Sequence, residues 1–196
     1  MTVLGLTGGS GVGKTTILSV WAGLGAYPVD ADALYHQLLR ENTVLLDALR
    51  EKFPDAFVSG VLNRKALGRI VFASKEKQKE LESLTHHAVI DAVEKELETA
   101  QIQGFQTAAV DALYLLNSPL RPKLSIVVGI VAPQHERIER IAARDGVSRD
   151  YAAARIAAQP GEAYYRAHCD VILENNAGPE TLKKQAEEIY QRYKNA

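Results

Sequence analysis

The clearest chemistry in the chain lies in Gly8-Gly9-Ser10-Gly11-Val12-Gly13-Lys14-Thr15. This stretch satisfies G-x-x-x-x-G-K-[ST] at every position, behind a short apolar run (3–6) and ahead of a helical pattern (15–23). Glycines let a backbone curl until its N–H groups converge on phosphate oxygens. A helix starting near Gly13 adds the positive end of its dipole. Gly9, Gly11, Val12 and Gly13 are therefore expected to form a phosphate cradle, with Lys14 as a compact charge on the β- and γ-phosphates. Thr15 would offer its hydroxyl to Mg²⁺, and Thr16 its hydroxyl or N–H to the α-phosphate. Such a loop binds a nucleotide without naming the reaction.

Other residues narrow the chemistry. GTPase strings N-K-x-D and D-x-x-G do not occur. Small-molecule kinases place an acid at the end of the second strand to receive the acceptor hydroxyl, and Val29-Asp30-Ala31-Asp32 fits that place. Asp32 is the first candidate for that proton. Asp30 is the alternative base, or a partner of Mg²⁺ through water. The chain is expected to be extended through both, only one of them need face the acceptor, and a solvated pair in a turn is the plainer alternative. Asp111 closes an apolar run (107–110), near where a Walker B carboxylate would sit. It is assigned to Mg²⁺ or acceptor positioning, against an ordinary turn aspartate. Arg140 and Arg144 stand at i, i+4 on one helix face, with Arg137 on the same stripe. A lid closing over ATP would bring such arginines to the transferring phosphoryl group or the adenine ring, and a solvated face is the alternative. His86-His87 lacks metal-ligand partners at a recognised spacing. Cys169 reads as a packed residue. Tyr164-Tyr165 could stack on adenine, with packing the better reading.

The elements that must position these groups alternate strand and helix. Apolar runs at 3–6, 25–30, 107–110, 124–132 and 170–173 read as five strands, the second made peripheral by Pro28. Helical spacing dominates from about 32 to 104, with 53–63 irregular and 76–103 read as one long helix or two joined near His86-His87. Pro133, Ser148 and Gly178-Pro179 mark later helix starts. Alternation of this kind implies parallel βαβ units with helices on both sheet faces.

Composition sets the outer bounds. The chain has 196 residues, 46% hydrophobic, with 23 basic and 24 acidic residues, so one ordinary domain without a basic excess for nucleic acid is expected. One cysteine excludes a disulfide framework and suits a reducing cytoplasm. No apolar run approaches the roughly 20 residues of a membrane span, and the start lacks signal-peptide features.

On these residues the chain resembles the dephospho-coenzyme A kinase family. The resemblance is carried by residues 6–16, then Leu24-Gly25-Ala26 and Val29-Asp30-Ala31-Asp32-Ala33. Leu62-Asn63-Arg64-Lys65-Ala66-Leu67 with Val71-Phe72 is similar to a family segment "D-R-x-x-L…-V-F". Leu84-Thr85-His86 is similar to "L-x-H-P", with His87 replacing the proline. Arg140-Ile141, Arg144-Asp145-Gly146, Ala154-Arg155-Ile156 and Gln159 resemble the family lid, and Cys169-Asp170-Val171-Ile172 with Asn175 its terminal "A-D-x-V-I-x-N". The segment "D-x-P-L-L-F-E" stands here as residues 111–117, with Leu113 and Asn117 in place of its proline and glutamate.

The resemblance implies an α/β P-loop NTPase three-layer sandwich with a mostly five-stranded parallel sheet. The expected core is 1–31, 105–133 and 167–196, with a helical acceptor-binding insertion at about 32–104 and a helical lid at about 134–166. The implied reaction moves the ATP γ-phosphate to the ribose 3′-hydroxyl of dephospho-CoA, giving CoA and ADP, with ATP and Mg²⁺ required. Asp32, Lys14, Arg140 and Asp30 would be catalytic, Arg144 would join the ATP site, and Asp32, Arg64, His86 and Asp111 would meet the acceptor. A cytoplasmic monomer or weak homo-oligomer, free of nucleic acid and membrane, is expected. The alternatives are a kinase for another small hydroxyl or nucleoside monophosphate, and a nucleotide-binding module without turnover.

Overall fold

The five apolar runs pair into one parallel sheet, whose three inner strands are wholly buried and must satisfy their backbone groups on neighbouring strands. The computed structural model describes residues 1–195, with the Phe72 side chain of the Val71-Phe72 segment outside the described part. The strands are β1 (Thr2–Thr7), β2 (Tyr27–Asp30), β5 (Thr107–Asp111), β6 (Ile126–Val131) and β7 (Val171–Glu174), ordered β2-β5-β1-β6-β7. All four pairings are parallel, and β2 with its Pro28 lies at an edge. The phosphate loop follows β1, the central strand, and opens α1 (Lys14–Gly23). In such sheets ligands bind outside the carboxyl ends of the strands, where connections diverge to the two sides.

The chain divides into two compact units. The first comprises Met1–Asp30 and Leu97–Ala196, and holds the sheet, α1, α6 (Gln134–Asp145), α7 (Arg149–Ala157), α8 (Glu162–His168) and α9 (Pro179–Tyr193). Its core joins Leu4, Leu6, Val128 and Ile130 of the sheet to Ile17 and Trp21 of α1 and to Leu182 and Ala186 of α9. Trp21 is wholly buried, and its indole N–H donates to the Ala186 carbonyl at 2.8 Å, so the ring loses no hydrogen bond on burial. Ile141, Ala152 and Ile156 form a separate small cluster between α6 and α7.

The second unit, Ala31–Glu96, holds α2 (Ala31–Glu41), α3 (Thr43–Lys52), a ribbon of β3 (Phe57–Val58) and β4 (Val61–Leu62), α4 (Arg64–Phe72) and most of α5 (Lys75–Ile102). Leu39, Leu45, Leu49, Phe53, Leu67 and Val71 make its core. Asn42 and Asn63 cap α3 and α4, their side chains accepting from Leu45 N–H and Ala66 N–H.

Several expectations change here. The segment 53–63 is not irregular: a 3₁₀ turn at Pro54–Ala56 leads into the two-stranded ribbon, turned by Ser59 and Gly60 at positive φ. α5 is one helix of 28 residues, since His86-His87 interrupts neither its hydrogen bonding nor its helical propensity. α8 was not anticipated, its seven residues being too few to show a period. The chain is also not extended through both aspartates. β2 ends at Asp30 and α2 begins at Ala31, so Asp32 stands in the first turn of a helix, where the dipole favours a carboxylate.

Candidate active site at the strand carboxyl ends

The loop between β1 and α1 is shaped by Gly8, Gly11 and Gly13, which take φ of 146°, 78° and 108°. Those conformations strain any residue with a Cβ. At Gly13 a Cβ would also stand 2.9 Å from both Asn175 Nδ2 and Leu182 Cδ2.

Three successive carbonyls of the loop are tied outward. Ser10 O accepts from Arg137 Nε at 2.9 Å, Gly11 O from Arg140 Nη1 at 3.2 Å, and Val12 O from Asn175 Nδ2 at 2.8 Å. In a trans peptide the carbonyl and the following N–H point opposite ways. Fixing those three carbonyls therefore turns the N–H groups of Gly11, Val12 and Gly13 to the opposite side, away from Arg137, Arg140 and Asn175. Arg137 is only 9% exposed, and burial holds its guanidinium pKa below the usual value. Arg140 is also ion-paired at 2.5 Å to Glu136 one turn earlier. Asn175 sits just after β7, where Asn175 N–H donates to Val131 O at 2.9 Å.

On the other side of the loop, Lys14 Nζ lies 3.9 Å from Asp111 Oδ1, with side chains 14% and 10% exposed. Asp111 ends β5, in register with Leu6 of β1 and Asp30 of β2. Asp30 and Asp111 thus stand side by side at the ends of neighbouring strands. Their carboxylate oxygens are hard donors of the kind Mg²⁺ takes. Among the described residues no group of three or more His, Cys, Asp or Glu is placed to hold a metal alone.

The remaining predicted residues fall elsewhere. Arg144 has a 58% exposed side chain whose Nε pairs with Asp145 Oδ1 at 2.6 Å, while Arg137 and Arg140 of the same helix bind loop carbonyls. Asp145 is held below the usual carboxylate range by the hydrogen bond from Arg144, and it also pairs with Arg155 at 2.9 Å. In the second unit Arg64 Nη2 lies 2.9 Å from His36 Nδ1 at the start of α4. Burial raises the Tyr35 hydroxyl pKa, and Arg64 opposes that rise. His86 lies in α5 beside His87, with ring centroids 6.4 Å apart. Tyr165 is buried, its hydroxyl pushed up to about 12 by desolvation with Arg137 acting against it, and Tyr164 meets it edge-on at 5.6 Å. Both tyrosines pack. Gln159 and Asn175 gained no site role from their spacing, because single amides show no pattern until the backbone atoms they bind are known.

A nucleotide cradle at the central strand, carboxylates at neighbouring strand ends and arginines from a helix beyond define a P-loop kinase. A family model described as dephospho-CoA kinase matches residues 2–180, and the chain belongs to that family. A dephospho-CoA kinase of Geobacter sulfurreducens is 33% identical over 192 residues, covering 97% of this chain and 98% of that one. The crystal structure of TT1252 from Thermus thermophilus superposes with TM-score 0.83 and 31% identity, covering 97% of each chain. Dephospho-CoA kinase from Campylobacter jejuni shares the fold, with TM-score 0.64 at 24% identity over 98% of this chain and 97% of that one. The activity is that of the family, ATP-dependent phosphorylation of dephospho-CoA in coenzyme A biosynthesis. Among the described residues no helix is long and apolar enough to cross a membrane.

Proposed function

We propose that the acceptor is the ribose 3′-hydroxyl of dephospho-CoA and that the strand-end carboxylates and the phosphate loop of the first unit carry the transfer. The observation that places the transfer in the first unit is the loop itself, with three carbonyls tied to side chains and Lys14 beside Asp111, and membership of the dephospho-CoA kinase family supports the acceptor. Gly9, Gly11, Val12 and Gly13 cradle the phosphates with backbone N–H groups, Thr16 meets the α-phosphate with its hydroxyl or N–H, and Lys14 neutralises the β- and γ-oxygens. Phosphoryl transfer needs positioning and charge neutralisation more than covalent help. Thr15 would hold Mg²⁺ with its hydroxyl, Asp30 would support it through water, and Asp111 would position the ion or the acceptor. Mg²⁺, when bound, draws charge from the β- and γ-oxygens.

Asp32 accepts the proton of the attacking hydroxyl, and Asp30 is the alternative base. Arg64 and His86 of the 31–96 unit hold the acceptor. Residues 134–166 form the lid, which brings Arg140 to the transferring group and Arg144 to the bound ATP. The protein works in the cytoplasm as a monomer or weak homo-oligomer. The test is ADP release with ATP, Mg²⁺ and separate acceptors: dephospho-CoA, adenosine, AMP and shikimate. Release above background only with dephospho-CoA supports the reading, and faster release with another acceptor overturns it.

A further inference from the structure

Ser10, in the phosphate loop, is bound through its N–H, hydroxyl oxygen and carbonyl by two side chains of segment 134–166. Its N–H donates to Gln159 Oε1 at 2.8 Å, its hydroxyl accepts from Gln159 Nε2 at 2.8 Å, and its carbonyl accepts from Arg137 Nε at 2.9 Å. The backbone N–H can only donate, so it fixes which end of the amide faces it and leaves the NH₂ for the hydroxyl. Gln159 is itself anchored, its N–H donating to Ile156 O at 3.1 Å just past α7. The preceding glycine makes room for this grip. A Cβ on Gly9 would stand 3.0 Å from Arg137 Cζ and 3.1 Å from Gln159 Oε1.

The grip has a consequence for the cradle. It turns the Ser10 N–H away to Gln159, while Arg137 on the Ser10 carbonyl aims the next N–H, that of Gly11, the opposite way. The Gly11 N–H of the cradle is thereby set by a side chain outside the loop, on a residue whose own N–H and hydroxyl are held by Gln159. Preorganised donors of this kind are what phosphoryl transfer relies on.

We propose that Gln159 is a positioning residue for phosphoryl transfer, gripping Ser10 so that the leading edge of the phosphate loop stays formed and is tied to segment 134–166. The proposal rests on the reading that this loop holds ATP. Gln159 acts through Ser10 and does not touch the reacting atoms.

The test uses Gln159→Ala, Gln159→Glu, Gly9→Ala, Ser10→Ala and the Ser10→Ala/Gln159→Ala double variant. Affinity for Mg²⁺-ATP is measured by titration calorimetry without acceptor, and then kcat and both KM values with dephospho-CoA. Gln159 is outside the Ile141, Ala152 and Ile156 cluster, so Gln159→Ala should keep its melting temperature within about 2 °C. ATP affinity and kcat should each fall about tenfold, with KM for dephospho-CoA nearly unchanged. Gln159→Glu keeps an oxygen for the Ser10 N–H but has no donor for the hydroxyl and adds a negative charge, so it should bind ATP more weakly than Gln159→Ala. Gly9→Ala, which crowds the same grip from the loop side, should weaken ATP in the same direction. The double variant should lose less than the product of the single losses. Wild-type ATP affinity in Gln159→Ala or Gly9→Ala, fully independent losses in the double variant, or a change in KM for dephospho-CoA alone would overturn the proposal. If the wild type binds ATP and the variants follow this pattern while dephospho-CoA is not phosphorylated, the acceptor assignment fails and the role of Gln159 stands.

Discussion

Lys14 Nζ lies 3.9 Å from Asp111 Oδ1, so the cation of the phosphate loop and the carboxylate closing β5 share one poorly solvated centre. Lys14→Ala should therefore damage ATP affinity and rate together, with kcat down by about 10²–10³-fold. Calorimetric ATP binding and steady-state kinetics check this. An unchanged kcat would remove Lys14 from the transition state.

Asp32→Asn keeps the size of the side chain and its place in the first turn of α2 but cannot accept a proton. Turnover should fall by about 10²–10⁴-fold with ATP affinity nearly kept. Asp30→Asn is the companion measurement. If it costs more turnover than Asp32→Asn at equal ATP affinity, Asp30 is the base.

Gly13→Ala places a methyl group 2.9 Å from Asn175 Nδ2 and Leu182 Cδ2, on a residue with φ of 108°. Destabilisation of about 1–3 kcal/mol is expected, together with loss of ATP binding. Chemical denaturation and calorimetry measure the two effects. A variant of native stability that binds ATP normally would contradict the packing described around the loop.

Cys169 packs against Gly129, where a Cβ would stand 2.7 Å from its sulfur. Burial first, then the neighbouring Asp170, pushes its thiol up to about 11, and Arg121 works against the rise. A raised thiol pKa favours the uncharged form, so at pH 8 about one molecule in a thousand carries the thiolate. Iodoacetamide should label native Cys169 far more slowly than the same cysteine in denaturant, with the rate climbing toward pH 11. Equal native and denatured rates at pH 8 would contradict the burial.

Much of this site is written locally in the sequence. The loop from Gly8 to Thr15 is contiguous, and its strand-before, helix-after setting follows from the apolar runs on either side. Ser148 could be read as a cap because its partner is three residues away, and it does accept from Tyr151 N–H. The contacts that were not legible are long-range and made by single polar side chains. Asn175 reaches Val12 across 163 positions and Gln159 reaches Ser10 across 149. Arg137 and Arg144 show the limit from the other side. Helical spacing groups both with Arg140, yet only the structure separates the guanidinium bound to Ser10 O from the one paired with Asp145. Asp170 is a further case. Its carboxylate accepts from Val127 N–H at 2.7 Å and from Arg121, which fixes the entry to β7, and nothing in its local sequence announces that.

The central claim, transfer to the 3′-hydroxyl of dephospho-CoA, is tested most directly by the product. Purified protein, ATP and Mg²⁺ are incubated with dephospho-CoA, and the product is read by mass spectrometry and phosphorus NMR. The account predicts one added phosphoryl group per molecule, present as a monoester on the ribose 3′-oxygen, with an equal amount of ADP. Unmodified dephospho-CoA with ATP consumed, or a phosphoryl group on any other oxygen, would contradict it.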